Sequence, residues 1–237
     1  MKLHVITPVK NSFGTTIRTI ESIVNSENYT DIQYTIYNDF SDDETTFLLQ
    51  EAAVKYDIEL VHLKTLTTHP SPNYRLVLQL AQKKALAENA HLIIVESDVV
   101  VEPRTIQKMM LQAAKVKNPG LIAAVTTGET GEINFPYLFA RNFRKGTVET
   151  GKRLSFCCTL LTNRLLNTYD FTHLDPQKTW YDIFISHKST GLGFKNYLLT
   201  NVPVLHLPHS SRPWKMLKYT NPLKYYWQKY TKGLDKI

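Results

Sequence analysis

Along the first hundred residues, short apolar runs alternate with longer segments in which apolar positions recur every three or four residues. Leu3-His4-Val5-Ile6-Thr7 is a β-type run closed by Pro8. Ile17, Ile20, Ile23 and Val24 come next at helical spacing and predict an amphipathic helix over Ser12 to Asn25. Ile32 to Tyr37, rich in β-branched and aromatic residues, predicts a second strand. A polar loop then offers Ser41, Asp42 or Asp43 as the cap of a helix around Thr45 to Tyr56. Ile58 to Leu63 predicts a third strand, and Leu76, Leu80, Ala81 and Ala85 set a helical period over Asn73 to Glu88. His91 to Val95 predicts a fourth strand, with the short continuous apolar run expected when helices cover both faces. The β-α-β-α-β-α-β order predicts an α/β fold with a mostly parallel central sheet flanked by helices.

The second half is less regular. Arg104 to Lys115 and Trp180 to Ser189 predict helices, and Gly120 to Thr126 and Ser155 to Leu161 predict strands. Lys195 to Leu205 predicts either a strand pair or one bent strand. Residues 127–153 hold four glycines and no clear period, which predicts a long loop of the kind that is usually functional or disordered. Asn221 before Pro222 is a helix-start signal. Leu223, Tyr226, Trp227, Tyr230 and Leu234 then form one stripe, with Lys224, Lys229 and Lys232 off it. This basic amphipathic helix has two readings: docking of the stripe on the domain or on a second subunit, which is the expected one, and lying on an anionic membrane. No composition shift marks a linker, so residues 1–210 are expected to form one domain and 211–237 its helical extension.

The 237 residues carry 28 Lys+Arg against 21 Asp+Glu, a net charge of +7, and 43% hydrophobic residues are enough for a sizeable core and argue against disorder. No apolar stretch approaches the length of a membrane span, and Pro8 interrupts the N-terminal apolar run where a secretion signal would continue, so a cytoplasmic protein is expected, peripheral to the inner membrane face at most. The two cysteines are adjacent, Cys157-Cys158, and provide neither a disulfide framework nor spaced zinc-binding pairs. Basic charge gathers in Arg141 to Arg153, with five basic residues and one acidic, and in Arg212 to Ile237, with seven basic and one acidic. Such a balance suits nucleic acid, an anionic membrane or phosphorylated substrates.

In parallel α/β sheets ligands bind beyond the carboxyl ends of the strands. Those ends carry Thr7-Pro8-Val9-Lys10-Asn11, then Asn38-Asp39, then Glu96-Ser97-Asp98. Two strand ends thus bring carboxylates to one edge, which speaks against a nucleic-acid module. In Glu96-Ser97-Asp98 the first and third side chains project alike, and hard oxygen ligands are what Mn²⁺ or Mg²⁺ take while bridging substrate phosphates.

With these motifs in place, the chain resembles the family-2 glycosyltransferases, over roughly residues 3 to 210. Thr7-Pro8-Val9-Lys10-Asn11 is similar to the family's opening turn, with Lys10 in place of an aromatic residue, and Asn38-Asp39-Phe40-Ser41-Asp42-Asp43-Glu44-Thr45 to its acidic loop, with Asn38 in place of the first Asp. Glu96-Ser97-Asp98 stands at the family's metal-binding acidic motif. Tyr181-Asp182, Gly193-Phe194-Lys195 and Val204-Leu205-His206 are similar to its later motifs, with Tyr181 in place of a Glu. The resemblance implies a GT-A fold and inverting transfer of a sugar from a nucleoside-diphosphate donor, with UDP the expected nucleotide. It implies donor contacts from Thr7, Pro8, Asn11, Asp39, Asn73 and Glu96, with Asp39 on the nucleobase and Glu96 toward the ribose. It places Mn²⁺ or Mg²⁺ on Asp98 and His206 and makes Asp182 the general base, with Asp170 and Asp175 as rivals. His209, Arg212 and Lys215 are further candidates near the diphosphate. The acceptor is expected to be a glycan or a lipid-linked hydroxyl, with no nucleic-acid partner and a homo-oligomer as an open option. Arg75 stands where the family has Gly, and Gln79-Leu80-Ala81 where it carries a donor-contacting Arg, so Lys83 or Lys84 is left to substitute. These departures motivate the alternative of a degenerate domain that binds a sugar nucleotide or a partner without turnover.

Overall fold

The computed structural model describes residues 2–27, 32–207, 217 and 220–232; His209, Arg212, Lys215 and Leu234 lie outside them. The elements in chain order are β1 (Leu3–Val9), α1 (Phe13–Val24), β2 (Ile32–Asn38), α2 (Asp43–Tyr56), β3 (Glu59–His62), α3 (Tyr74–Ala87), β4 (His91–Val95), β5 (Val99–Val100), α4 (Thr105–Lys115), β6 (Pro119–Thr127), β7 (Thr147–Glu149), β8 (Cys158–Leu161), α5 (Asn163–Thr168), α6 (Tyr181–Gly191), β9 (Lys195–His206) and α7 (Pro222–Thr231). The described strands join in one sheet of order β3-β2-β1-β4-β8-β6-β9-β5, with β7 also on β9.

Side-chain alternation explains the layers. Along β1 and β4, Ile6, Leu92 and Ile94 face a core with Val77, Leu78, Ala81 and Ala85 of α3. Their neighbours Leu3, Val5, Val9, Ile93 and Val95 face the opposite core, built with Ile20 and Ile23 of α1, Leu49 of α2 and Met109 of α4. Strands buried on both faces read as the unbroken apolar runs seen in the sequence.

The sheet is mostly parallel, as expected, with antiparallel strands β5, β7 and β8 added among the described residues. Strands β1 to β4 are parallel to one another. β8 is inserted antiparallel between β4 and β6, which leaves β6, and β9 parallel to it, running in the sense of β4. β5 and β7 pair antiparallel to β9. Lys195–His206 is a single bent strand: its register against β6 jumps from Ala124↔Leu199 to Val125↔Pro203. The extruded Thr200-Asn201-Val202 offsets the rest of β9, which stays paired with β6 and takes β5 on its other edge where β7 has ended. The glycine-rich 127–153 region is not wholly irregular, since β7 lies within it.

α6 packs unusually close to the sheet. A Cβ on Gly120 of β6 would meet Ser189 Oγ at 2.0 Å, so only glycine admits the helix there. Beyond its C-terminus Gly193 adopts φ +83°, the left-handed turn that glycine accepts without strain. The buried side of α6 is partly polar: Ser189 Oγ donates to Asn196 Oδ1 at 2.8 Å, Asn196 Nδ2 donates to Ser186 O at 2.8 Å, and Leu154 N donates to Ser186 Oγ at 3.0 Å.

The C-terminal helix corrects one part of its sequence reading, docking of the stripe on the domain itself. Asn221 Oδ1 caps α7 by accepting from Lys224 N at 3.0 Å, with Pro222 inside the start. Yet the stripe expected to dock is outside: Leu223 is 86% exposed and Tyr230 91%, while Tyr225, off the stripe, is buried. No helix among the described residues is long and apolar enough to cross a membrane.

Candidate active site

The carboxyl ends of β1, β2 and β4 bring the first group of expected residues together. Asn11 sits at φ +46°, a conformation Asn tolerates. From there its Oδ1 accepts from Asp42 N at 2.8 Å, and its own N–H donates to Ser41 Oγ at 3.1 Å. Asp39 N donates to Val9 O at 2.9 Å, closing the second turn on the first. Asn38, in place of an acid, serves this turn: its Oδ1 accepts from Ser41 N at 3.1 Å and its amide donates to Thr46 Oγ1 at 3.0 Å. A carboxylate could not make the second of these bonds without a proton. Lys10, in place of an aromatic residue, reaches the Phe40 carbonyl. Of the three cap candidates, Asp42 caps α2 by accepting from Thr45 N at 2.8 Å, a bond that also holds its carboxyl below the usual range.

Asp39 is buried and strongly held. Its Oδ2 accepts from Ser71 Oγ at 2.7 Å and Asn73 N at 2.9 Å, and its Oδ1 from Asn73 Nδ2 at 2.8 Å. With two acceptor positions per oxygen, one position on Oδ1 remains for a ligand. Asn73 thus acts here chiefly by ordering Asp39. Thr7 is buried with its hydroxyl 2.9 Å from that of Tyr34, so its side chain is spent inside the sheet, whereas Pro8 and Asn11 reach the surface.

The second group forms where β4, β5, β8 and β9 meet. The pairing Val99↔His206 lays the end of β9 beside Asp98, leaving His206 Nε2 3.6 Å from Asp98 Oδ2. His206 Nδ1 is 2.9 Å from Phe135 O. A carbonyl only accepts, so Nδ1 carries the proton and Nε2 holds the lone pair of the neutral ring. Burial alone would lower the His206 pKa, but the carboxylates of Asp98 and Glu96 outweigh it and raise it. Asp98 is buried, and its Oδ1 has no hydrogen-bond partner. A buried, unpartnered carboxylate oxygen is costly unless a ligand completes it. Burial, reinforced by the Asp98 charge, pushes Glu96 up to about 7. The Cys157 thiol donates to Glu96 Oε2 at 3.4 Å, and burial pushes that thiol well above its usual value.

Asp182 lies in the first turn of α6, half-buried. Its charge helps to raise the pKa values of Glu96, Tyr74 and Tyr137, which puts it in the same electrostatic neighbourhood as the Glu96–Asp98 turn. Its rivals are committed elsewhere: Asp170 accepts from Thr172 N and Asp175 from Gln177 N, both in local turns. Tyr181, in place of a Glu, donates its hydroxyl to Asp175 O at 3.1 Å.

The residues that sequence reasoning missed are Cys157 and Tyr74. Cys157 reaches Glu96 only because β8 pairs with β4, Val95↔Cys158, a long-range contact with no local signal. Tyr74 comes directly after Asn73. Its ring stacks on Phe156 at 6.4 Å, its buried hydroxyl has no partner, and its pKa is raised by burial and then by Glu96 and Asp182.

The expectation that Lys83 or Lys84 replaces a donor-contacting arginine is not met. Lys84 pairs with Glu59 at the start of β3, toward the opposite edge of the sheet, and Lys83 is exposed. The α3 face where that arginine was expected holds the preceding loop of α6 instead. Arg75 Nη1 donates to Leu174 O at 3.2 Å, Gln79 Nε2 to Phe171 O at 3.1 Å and Gln82 Nε2 to Tyr169 O at 2.7 Å. These residues recur at helical spacing, so the departures are one structural device.

The sheet and the clustered carboxylates define an α/β protein built around an acidic strand-end site. The model of Glycosyl transferase family 2 matches residues 4–168, and the chain belongs to that family. Asp182 and His206 lie beyond the matched span. No curated protein matches the chain in sequence. Among solved structures, S. aureus TarS 1-349 in complex with UDP-GlcNAc is similar at TM-score 0.69 and 16% identity, over 90% of this chain and 60% of that one. Mannosyltransferase PcManGT from Pyrobaculum calidifontis, in complex with GDP-Man and Mn²⁺, is similar at TM-score 0.65 and 14% identity, over 97% of this chain and 64% of that one. GalNAc-T7 with UDP, GalNAc and Mn²⁺ is similar at TM-score 0.65 and 11% identity, over 92% and 47%. The chain thus spans less than two thirds of the length of each, and at these identities the likeness is one of fold.

Proposed function

We propose that the chain transfers a sugar, with inversion, from a nucleoside-diphosphate donor, UDP-linked in the first instance, to a hydroxyl of a glycan or lipid-linked acceptor. The observation that carries the reading is the Asp98–His206 pair, with an unpartnered carboxylate oxygen, beside Glu96 and within the field of Asp182. Membership of the family supports a nucleotide-sugar donor, as do relatives of the same fold that hold UDP-GlcNAc and GDP-Man.

The residues present fit a divalent cation. Asp98 offers a hard oxygen and His206 Nε2 a nitrogen oriented by the Nδ1 bond to Phe135 O. Among the described residues no third His, Cys, Asp or Glu completes a closed cage, as suits an ion that takes its other ligands from diphosphate and water. Asp98 and His206 would hold Mn²⁺ or Mg²⁺, which would supply neutralisation of charge on the departing diphosphate.

The chain's own groups do the rest. The β1 and β2 turns, through Pro8, Asn11 and the remaining acceptor position on Asp39, take the nucleoside, and Glu96 faces the ribose. Asp182 accepts the acceptor's hydroxyl proton as its oxygen bonds to the anomeric carbon, while the bond from that carbon to the diphosphate oxygen breaks on the opposite face. The unpartnered Tyr74 hydroxyl donates a hydrogen bond to bound sugar or acceptor. Tyr181 in place of an acid favours a second reading, binding without turnover.

Calorimetry of UDP binding with and without Mn²⁺, on the wild type and Asp98→Ala, tests the donor site. Metal-dependent binding that weakens at least about tenfold in the variant is expected, the size of losing a charged ligand contact. Binding indifferent to both metal and Asp98 would overturn the reading. Metal-dependent binding without turnover of any sugar donor would favour the second one.

A further inference from the structure

Two helices on one side of the molecule carry apolar side chains on their outward faces. α6 buries Tyr181, Ile185, Ser186 and Ser189, while Ile183, Phe184 and, just past its end, Leu192 line an apolar groove of about 590 Å³ rimmed by Lys178, His187 and Lys188. α7 buries Tyr225 and leaves Leu223, Tyr226, Trp227 and Tyr230 exposed. The two surfaces meet at Trp180, which lines the groove and carries Lys229 of α7 over its ring at 5.1 Å. Water-facing helices normally do the opposite, and a contiguous exposed apolar patch marks a contact surface.

Charge identifies the contact. From Leu217 to Lys232 the chain has four lysines and no acid, and from Lys178 to Leu192 its one acid is Asp182, which belongs to the site already described. A second copy of this face would set lysine against lysine, which costs affinity. Aromatic side chains flanked by lysines are what settles at a bilayer interface, where rings sit at headgroup depth and cations meet lipid phosphate. We propose that the outward faces of α6 and α7 form one docking surface for an anionic phospholipid membrane. The proposal does not depend on the transfer reaction.

Flotation of the full chain with vesicles tests it directly, without donor or metal. Recovery with phosphatidylglycerol-rich vesicles, weakened by salt and absent with phosphatidylcholine alone, is expected. The double substitution Trp227→Ser and Tyr230→Ser should lower partition at least about tenfold while leaving the melting temperature unchanged, because both side chains are in solvent. Absence of wild-type recovery, equal recovery with neutral vesicles, or a double variant that floats like the wild type would each overturn it. So would a wild-type dimer that the double variant splits without either form binding vesicles, which would assign the face to a second copy.

Discussion

α1 and α7 are both short amphipathic helices, and they use their apolar faces in opposite ways. α1 lays Ile20 and Ile23 against β1 and β4, where neither is accessible to water. α7 keeps a comparable stripe outside and anchors through Tyr225 and the Lys229–Trp180 contact. α6 is intermediate, with serines inward and Phe184 outward. Periodicity tells which residues share a face, but the direction of that face depends on what the rest of the chain offers it. In the first half the sheet offers an apolar surface. Against β6 and β9, Gly120 and Asn196 offer close approach and hydrogen bonds instead, and serines fit there better.

The sharpest way to divide the two regions is through Asp182, the proposed general base in the second. Asp182→Asn should lower kcat by about 10²- to 10⁴-fold, the span of general-base contributions, with donor KM nearly unchanged. Steady-state kinetics with varied donor checks it, and an equal loss in KM would move Asp182 to the donor side. Next in size, Ile20→Ala should destabilise the fold by about 2–5 kcal/mol, whereas Leu223→Ser should stay within about 0.5 kcal/mol. Urea unfolding of the two variants reads this out, and equal losses would break the contrast between α1 and α7.

A subtler outcome is expected for Tyr74→Phe. Removing a buried hydroxyl with no partner should raise stability slightly, by no more than about 1 kcal/mol, while kcat/KM falls several-fold because the hydroxyl serves bound substrate. A higher melting temperature with intact activity would make Tyr74 purely structural. The smallest effect is in pH. Burial lowers the pKa values of His4, His62 and His91 below the ordinary 6.5. The unfolded chain therefore binds more protons below that value, and stability falls as pH drops through 6.5. His206, raised instead, contributes stability below 6.5 and loses it as pH rises through its folded value. The margin of the wild type over His206→Gln in melting temperature should thus be widest below pH 6.5 and narrow as pH rises.

The sequence predicted the first four strands, the helices between them and the strand-end carboxylates because each is written locally, in periodicity or in the polar residues that close an apolar run. It did not disclose that β8 enters antiparallel between β4 and β6, since pairing partners depend on residues far apart along the chain. Cys157 beside Glu96 was illegible for that reason. Arg75 and Gln79 looked like losses from a donor site when read one by one. Their shared task on the loop before α6 appears only when Leu174 and Phe171 are seen opposite them.

The extruded Thr200-Asn201-Val202 in β9 has a consequence for how the molecule is made. From Tyr197 to Leu199 the strand runs along β6 in regular register, so a nascent chain that has delivered those residues can complete most of the sheet. Asp98, by then long synthesised, still lacks His206, which arrives after the extrusion, where β9 lies between β6 and β5. The proposed metal-binding pair therefore forms only once the chain beyond this extrusion is in place. A chain stopped at Leu199 would carry Asp98 without His206.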